Sequence, residues 1–201
     1  LFWAFRATDA AARLLPALAG AGFVLLPYAA RDLLGRKAAL VASLFLALGP
    51  SWVYFSRAAD GAILVAAAGA VLLLSTYRAV HSAGARDFRL GAAALALGLV
   101  AGPQVYTLLG VGLLLLAGWA WLGRGSGRWL LMRRAAARLA TRENVLIFLA
   151  TFLFFASGMT FNPGGIGASL NLAGRWAQSL SPAQSGLPWF SYPRNLLLYE
   201  A

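Results

Sequence analysis

Few side chains in this sequence of 201 residues could do chemistry, and the clearest pair lies in Gly49-Pro-Ser-Trp-Val-Tyr-Phe-Ser-Arg-Ala-Ala-Asp60. Arg57 and Asp60 are three apart, so on one helical turn they either pair with each other or point together into a cavity. Asp60 could then act as a general base or as the ligand of a divalent metal ion, and Arg57 could hold a phosphate. The structural alternative is a helix-end pair, with Asp60 capping the helix that follows. A second candidate is Gly102-Pro-Gln-Val-Tyr106, where Gln104 and Tyr106 could face a substrate groove, polar side chains at a broken membrane helix being cavity-lining candidates. It also reads as a tight turn. Arg175 and Arg194, flanked by Trp176 and Trp189, could hold an anionic phosphate, or could reach from an apolar surface toward water beside interfacial tryptophans.

Other chemistries are excluded by residue count. There is no cysteine, so disulfides and thiolate metal sites are absent, and the one histidine, His81, lies between charged residues and reads as a solvated surface group. Gly164-Gly165-Ile-Gly167 has neither the preceding strand nor the following lysine of a nucleotide loop. The net charge of +11 is not a nucleic-acid footprint, because the basic residues lie between hydrophobic blocks and form no face with an aromatic platform.

The elements that must position these residues are membrane helices. Hydrophobic residues make up 61% of the chain and charged residues 11%, with a mean hydropathy of +0.73, far from the composition of a soluble domain. The apolar content comes in blocks of about 16 to 20 residues, the length that crosses a hydrocarbon core, and lacks the alternation of a barrel. We read an all-α integral membrane protein of about six spans: 11–30, 38–55, 61–76, two short helices meeting near Pro103 within 90–122, and 144–160. Arg13, in the first turn of the first span, is expected to reach toward the interface. Residues 1–160 form the bundle. Residues 161–201 form an outer segment in which 170–180 is a short amphipathic helix.

Loops 31–37, 77–89 and 123–143 hold twelve of the 17 Lys and Arg residues, the last of them six arginines. The positive-inside bias puts all three on the inner side. Asp9, Asp60, the break at 102–106 and the whole 161–201 segment then share the outer face. A transporter is disfavoured, because no charge lies mid-span where ion coupling needs one.

Several stretches resemble the membrane glycosyltransferases related to protein O-mannosyltransferases and aminoarabinose transferases, of GT-C type. These are Asp9-Ala-Ala-Ala-Arg13-Leu-Leu-Pro16-Ala-Leu, Leu34-Gly-Arg-Lys-Ala-Ala-Leu, Gly49-Pro-Ser-Trp-Val-Tyr-Phe-Ser-Arg57, Phe161-Asn-Pro-Gly-Gly, and the closing Pro-Trp-Phe-Ser-Tyr with Leu-Leu-Leu-Tyr-Glu200. The resemblance covers most of the chain in the same order. It implies a multi-pass enzyme of the bacterial cytoplasmic membrane that transfers a sugar from a polyprenyl-phosphate donor to an acceptor on the outer face. Asp60 sits where the family's second acidic residue is expected, although in relatives the spacing after Ser-Arg is often longer and includes another charged residue, whereas here Ala58 and Ala59 intervene. The family's first-loop carboxylate is expected upstream of Leu1. The alternative is a non-catalytic membrane subunit that keeps this scaffold and packs against neighbouring subunits.

Overall fold

A computed structural model describes residues 9–58, 61–81, 84–123, 137–158, 162 and 164–180. Among them the regular structure is entirely helical. Helix α1 (Asp9–Ala29) carries Pro16 and Pro27 in its interior, and α2 (Arg31–Leu34) leads through Gly35 into α3 (Arg36–Leu48). Gly35 has φ +81°, a left-handed conformation that costs glycine little and side-chain-bearing residues much more. Next come α4 (Pro50–Arg57), α5 (Ala62–His81), α6 (Ala85–Ala101), α7 (Gln104–Leu122), α8 (Arg142–Ala156) and α9 (Gly164–Ser179).

The span expected over 38–55 is broken. Its two halves, α3 and α4, meet at 60° across Gly49. Pro50 explains the break: its ring disfavours the helical conformation at the preceding residue, and Gly49 accordingly sits at φ −64°, ψ 118°. Pro50 then opens α4, where a missing N–H costs nothing. Ser56 and Arg57, expected in a turn, instead close α4. Three helical stretches are long and apolar enough to cross a membrane, 13–34, 62–79 and 104–122, or four if α3 and α4 together make one span. The six spans read from sequence exceed this because α6 and α8, with 17 and 15 residues, are shorter. At 1.5 Å per residue they reach about 25 and 22 Å, against a hydrocarbon core of ~30 Å.

Two further boundaries differ from expectation. The loop over 77–89 contracts, since α5 continues to His81 and α6 begins at Ala85, taking Arg86, Asp87 and Arg89 into its first turns. The amphipathic helix over 170–180 starts earlier, at Gly164, and one of its glycines has a packing reason. Gly165 abuts the Ala156 carbonyl at the end of α8, and a Cβ there would overlap that oxygen.

The closest packing joins α5 to α6, and α6 in turn packs on α8. Small residues bring α5 and α6 together: Ala68 and Ala96 are buried, a Cβ on Gly91 would lie 3.0 Å from Ser75 Oγ, and one on Gly98 would lie 3.6 Å from the Ala68 Cβ. Such interfaces hold where lipid competes equally for apolar side chains, because close backbone approach gains dispersion contacts. On the other flank α1 packs against α3, α4 and α5. Gly20 of α1 lies against Ser56 of α4, and the Phe23 and Trp52 rings meet at 4.7 Å, so α4 runs antiparallel to α1. Helix α7 is little covered by its neighbours; only 6% of its apolar window is buried.

Two ion pairs define one end of the bundle. Arg78 Nε donates to Asp32 Oδ2 at 3.2 Å, its Nη2 donates to Asp32 Oδ1 and to the Ala29 carbonyl, and Arg89 Nη2 donates to Glu143 Oε2 at 2.7 Å. The opposite end is held by apolar and backbone contacts, among them Gly61 against the Ala101 carbonyl. Asp32, Arg78, Arg89 and Glu143, which come from the three segments expected together on one side, therefore meet at one end.

Candidate functional site

At the end opposite those ion pairs, α1, α3 and α4 enclose an open groove of about 650 Å³. Its lining is Arg13, Leu48, Pro50, Val53, Tyr54, Arg57 and Ala58. The break at Gly49 makes the groove: by turning the chain, it aligns one face of α4 along α1 and sets Arg57, in the last turn of α4, beside the first turns of α1. Pro50, Val53, Tyr54 and Arg57 recur at helical spacing on that face. Ser56, on another face, satisfies its hydroxyl locally by donating to the Val53 carbonyl at 2.9 Å.

Arg13 and Arg57 are both exposed, and among the described residues neither makes an ion pair. Two guanidinium groups above apolar walls suit a ligand with an anionic oxygen cluster and an apolar tail, since guanidinium presents paired donors to phosphate oxygens. Asp60, expected as base or metal ligand, lies outside the described residues. So does Arg194. Among the described residues no three His, Asp or Glu side chains come together. The described wall of this groove is cationic and does not fit a divalent cation.

The other expected site residues are placed nearby but apart from the groove lining. Gln104 is exposed in the first turn of α7, and its side-chain oxygen lies over Gly102, where an added Cβ would come within 2.5 Å. Tyr106 packs against Trp176 with ring centroids 5.8 Å apart, and Trp176 Nε1 donates to Thr107 Oγ1 at 2.9 Å. Arg175, exposed on α9, is thereby carried to the same end. Tyr106 and Thr107 thus serve the contact between α7 and α9, with Trp176 as the anchor, and neither Gln104 nor Tyr106 lines the groove of Arg13 and Arg57.

Sequence reasoning placed Arg57 in the site and treated Arg13 only as an interfacial cation. The missed signal was its depth: a charge one turn into an apolar helix is costly unless it meets water or an anion. Pairing it with Arg57 required knowing that α4 folds back along α1.

Comparison with protein-family models, with curated protein sequences and with solved structures returns no significant match.

Proposed function

We propose that this chain is part of a membrane glycosyltransferase of GT-C type that takes a sugar from a polyprenyl-phosphate donor. The observation that carries the reading is the groove in which Arg13 and Arg57 stand over Leu48, Pro50 and Val53. The sugar-bearing donor is a phosphodiester with one negative charge on an apolar chain, a second charge develops on the departing phosphate as the sugar leaves, and this groove offers two cations beside an apolar wall. Sugar transfer needs two kinds of help: a base to accept the proton of the acceptor hydroxyl, and positive charge on the phosphate as the bond to the anomeric carbon breaks. Asp60, three residues beyond Arg57, takes the first role, and the two arginines take the second.

In this reading the chain crosses a bacterial cytoplasmic membrane six times, with α6 and α8 as short spans and the ion-paired end inside. The groove then faces the outer side, where α9 and Arg175 border the interface. The decisive test is binding of a fluorescent polyprenyl phosphate to the full-length protein in nanodiscs. Binding should weaken by about ten- to a hundredfold on Arg57→Ala, the loss of a charge-assisted hydrogen bond to phosphate. Unchanged binding in Arg57→Ala and Arg13→Ala alike would remove the basis of the proposal.

A second reading is favoured by one observation. Helix α7 presents Val111, Leu113, Leu114, Leu115 and Trp121 outward along most of its length. In a non-catalytic subunit that face would pack against neighbouring membrane helices, and purification in mild detergent would recover a stoichiometric assembly without transferase activity.

A further inference from the structure

The ion-paired end holds a second cleft, of about 800 Å³, between α1 and α2 on one side and α5 and α6 on the other. Its lining changes character with depth. At the rim are Arg31, Asp32, Arg78, His81, Arg86 and Asp87, and below them are Leu26, Val71 and Leu74. From Arg78 back to Val71 is seven helical residues, so the apolar wall runs about 10 Å into the bundle.

The charges at the rim are unequal in what they have left to offer. Arg78 and Asp32 neutralise one another through their paired contacts. Arg31 lies over the Tyr28 ring at 4.7 Å, and neither it nor Arg86 forms an ion pair among the described residues. Asp87 offsets one of these two cations from the first turn of α6, where the helix dipole already favours a carboxylate. His81 stacks on Tyr77 at 4.1 Å with Nδ1 2.9 Å from the Tyr77 carbonyl, which leaves its other ring nitrogen turned from that contact. One net positive charge and a row of donors therefore stand at the mouth of an apolar slot.

We propose that this cleft is a binding site for a phospholipid with an anionic headgroup, its phosphate between Arg31 and Arg86 and one acyl chain along Leu26, Val71 and Leu74. A zwitterionic lipid would bring its ammonium against these arginines. A free phosphate would make no use of the apolar wall. Basic pockets between membrane helices recognise anionic headgroups on this principle. The site is at the far end of the bundle from Arg13 and Arg57, so the inference does not depend on the transferase reading.

The test uses the full-length protein, purified from membranes and reconstituted in nanodiscs of phosphatidylcholine doped with phosphatidylglycerol, with retained lipid counted by native mass spectrometry. Phosphatidylglycerol should be retained in preference to phosphatidylcholine. Retention should fall about tenfold in Arg31→Gln/Arg86→Gln. The matched variant Arg36→Gln/Lys37→Gln removes the same charge at the same end but outside the cleft lining, and should retain phosphatidylglycerol as the wild type does. Equal loss in the two double variants would reduce the effect to surface charge and overturn the site. Displacement of the lipid by millimolar inorganic phosphate would show a free-anion site and overturn the choice of a lipid. Folding of each variant is checked by its elution volume and helical circular dichroism.

Discussion

Arg89 donates to Glu143 at 2.7 Å although 54 positions separate them in sequence. The contact sets the first turns of α6 and α8 side by side, so these two helices rise from the same end of the bundle. Arg78, 46 positions from Asp32, likewise ties the end of α5 to α2 and, through the Ala29 carbonyl, to the end of α1. Both pairs thus join helix ends that meet at the same end of the bundle. Both pairs are exposed, and pairs of that kind contribute little stability. Their consequence is positional: Asp32, Arg78, Arg89 and Glu143 meet at one end of the bundle.

That consequence can be measured directly, because the chain contains no cysteine. Single cysteines at Lys37, Arg86, Ala58 and Gln178 supply four reporters for an impermeant maleimide in sealed, oriented vesicles. Lys37→Cys and Arg86→Cys should label together from one side, and Ala58→Cys and Gln178→Cys from the other. The positive-inside bias further predicts that the first pair labels only from the cytoplasmic side. Labelling of Lys37→Cys and Arg86→Cys from different sides would break the arrangement.

Glycines in this bundle fall into two groups whose substitutions should have opposite signs. A Cβ at Gly61 would overlap the Ala101 carbonyl, where backbone must move, whereas Gly112 in the middle of α7 has no neighbouring heavy atom within 4 Å. Gly61→Ala should destabilise by about 1 to 3 kcal/mol through overpacking. Gly112→Ala should be neutral or stabilise by up to about 1 kcal/mol, since alanine removes the conformational penalty of a helical glycine. Thermal unfolding in one detergent, read by circular dichroism, compares the two.

Much of this was legible in the sequence, and for physical reasons. Apolar blocks bounded by arginine revealed helices, and Gly102-Pro103 showed that the block over 90–122 is two helices. The same dipeptide logic applied to Gly49-Pro50, yet the run of apolar residues on both sides concealed the break; hydropathy averages over a bend that a single backbone conformation creates. The start of α9 was missed for the converse reason, because Gly164, Gly165 and Gly167 read as turn formers, whereas they open a helix in which Gly165 lets the backbone approach the Ala156 carbonyl of α8. The groove was half legible. Arg57 stood out as a charge at the edge of an apolar run, but its partner Arg13 is 44 positions away, and only the direction of α4 along α1 brings them together.

The anchor of α9 is open to a double-mutant cycle. Trp176→Phe removes the donor to Thr107 Oγ1 and keeps most of the ring packing on Tyr106, and Thr107→Val removes the acceptor with little change in shape. Each single variant should cost about 0.5 to 1.5 kcal/mol, the net value of one hydrogen bond. The double variant should cost less than the two together, because the second loss breaks a bond already gone. Additive losses would mean that Trp176 holds α9 by its ring alone.

The proposed division of labour between Arg57 and Asp60 predicts different kinetic signatures for two residues three positions apart. If Asp60 takes the acceptor proton, Asp60→Asn removes the base without removing the groove. Turnover in a membrane assay with full-length protein should then fall by about a hundredfold or more while donor binding is kept, the general range for loss of a positioned proton acceptor. Arg57→Ala should act first on the donor, raising its KM, and should lower kcat as well to the extent that the guanidinium meets the charge that grows on the phosphate as the bond to the sugar breaks. Arg57→Lys keeps the charge but not the paired donors, so it should recover part of the binding and less of the rate. Unchanged turnover in Asp60→Asn would end the catalytic assignment, and it would leave the Arg13 and Arg57 groove as a lipid-phosphate site in a protein with another task.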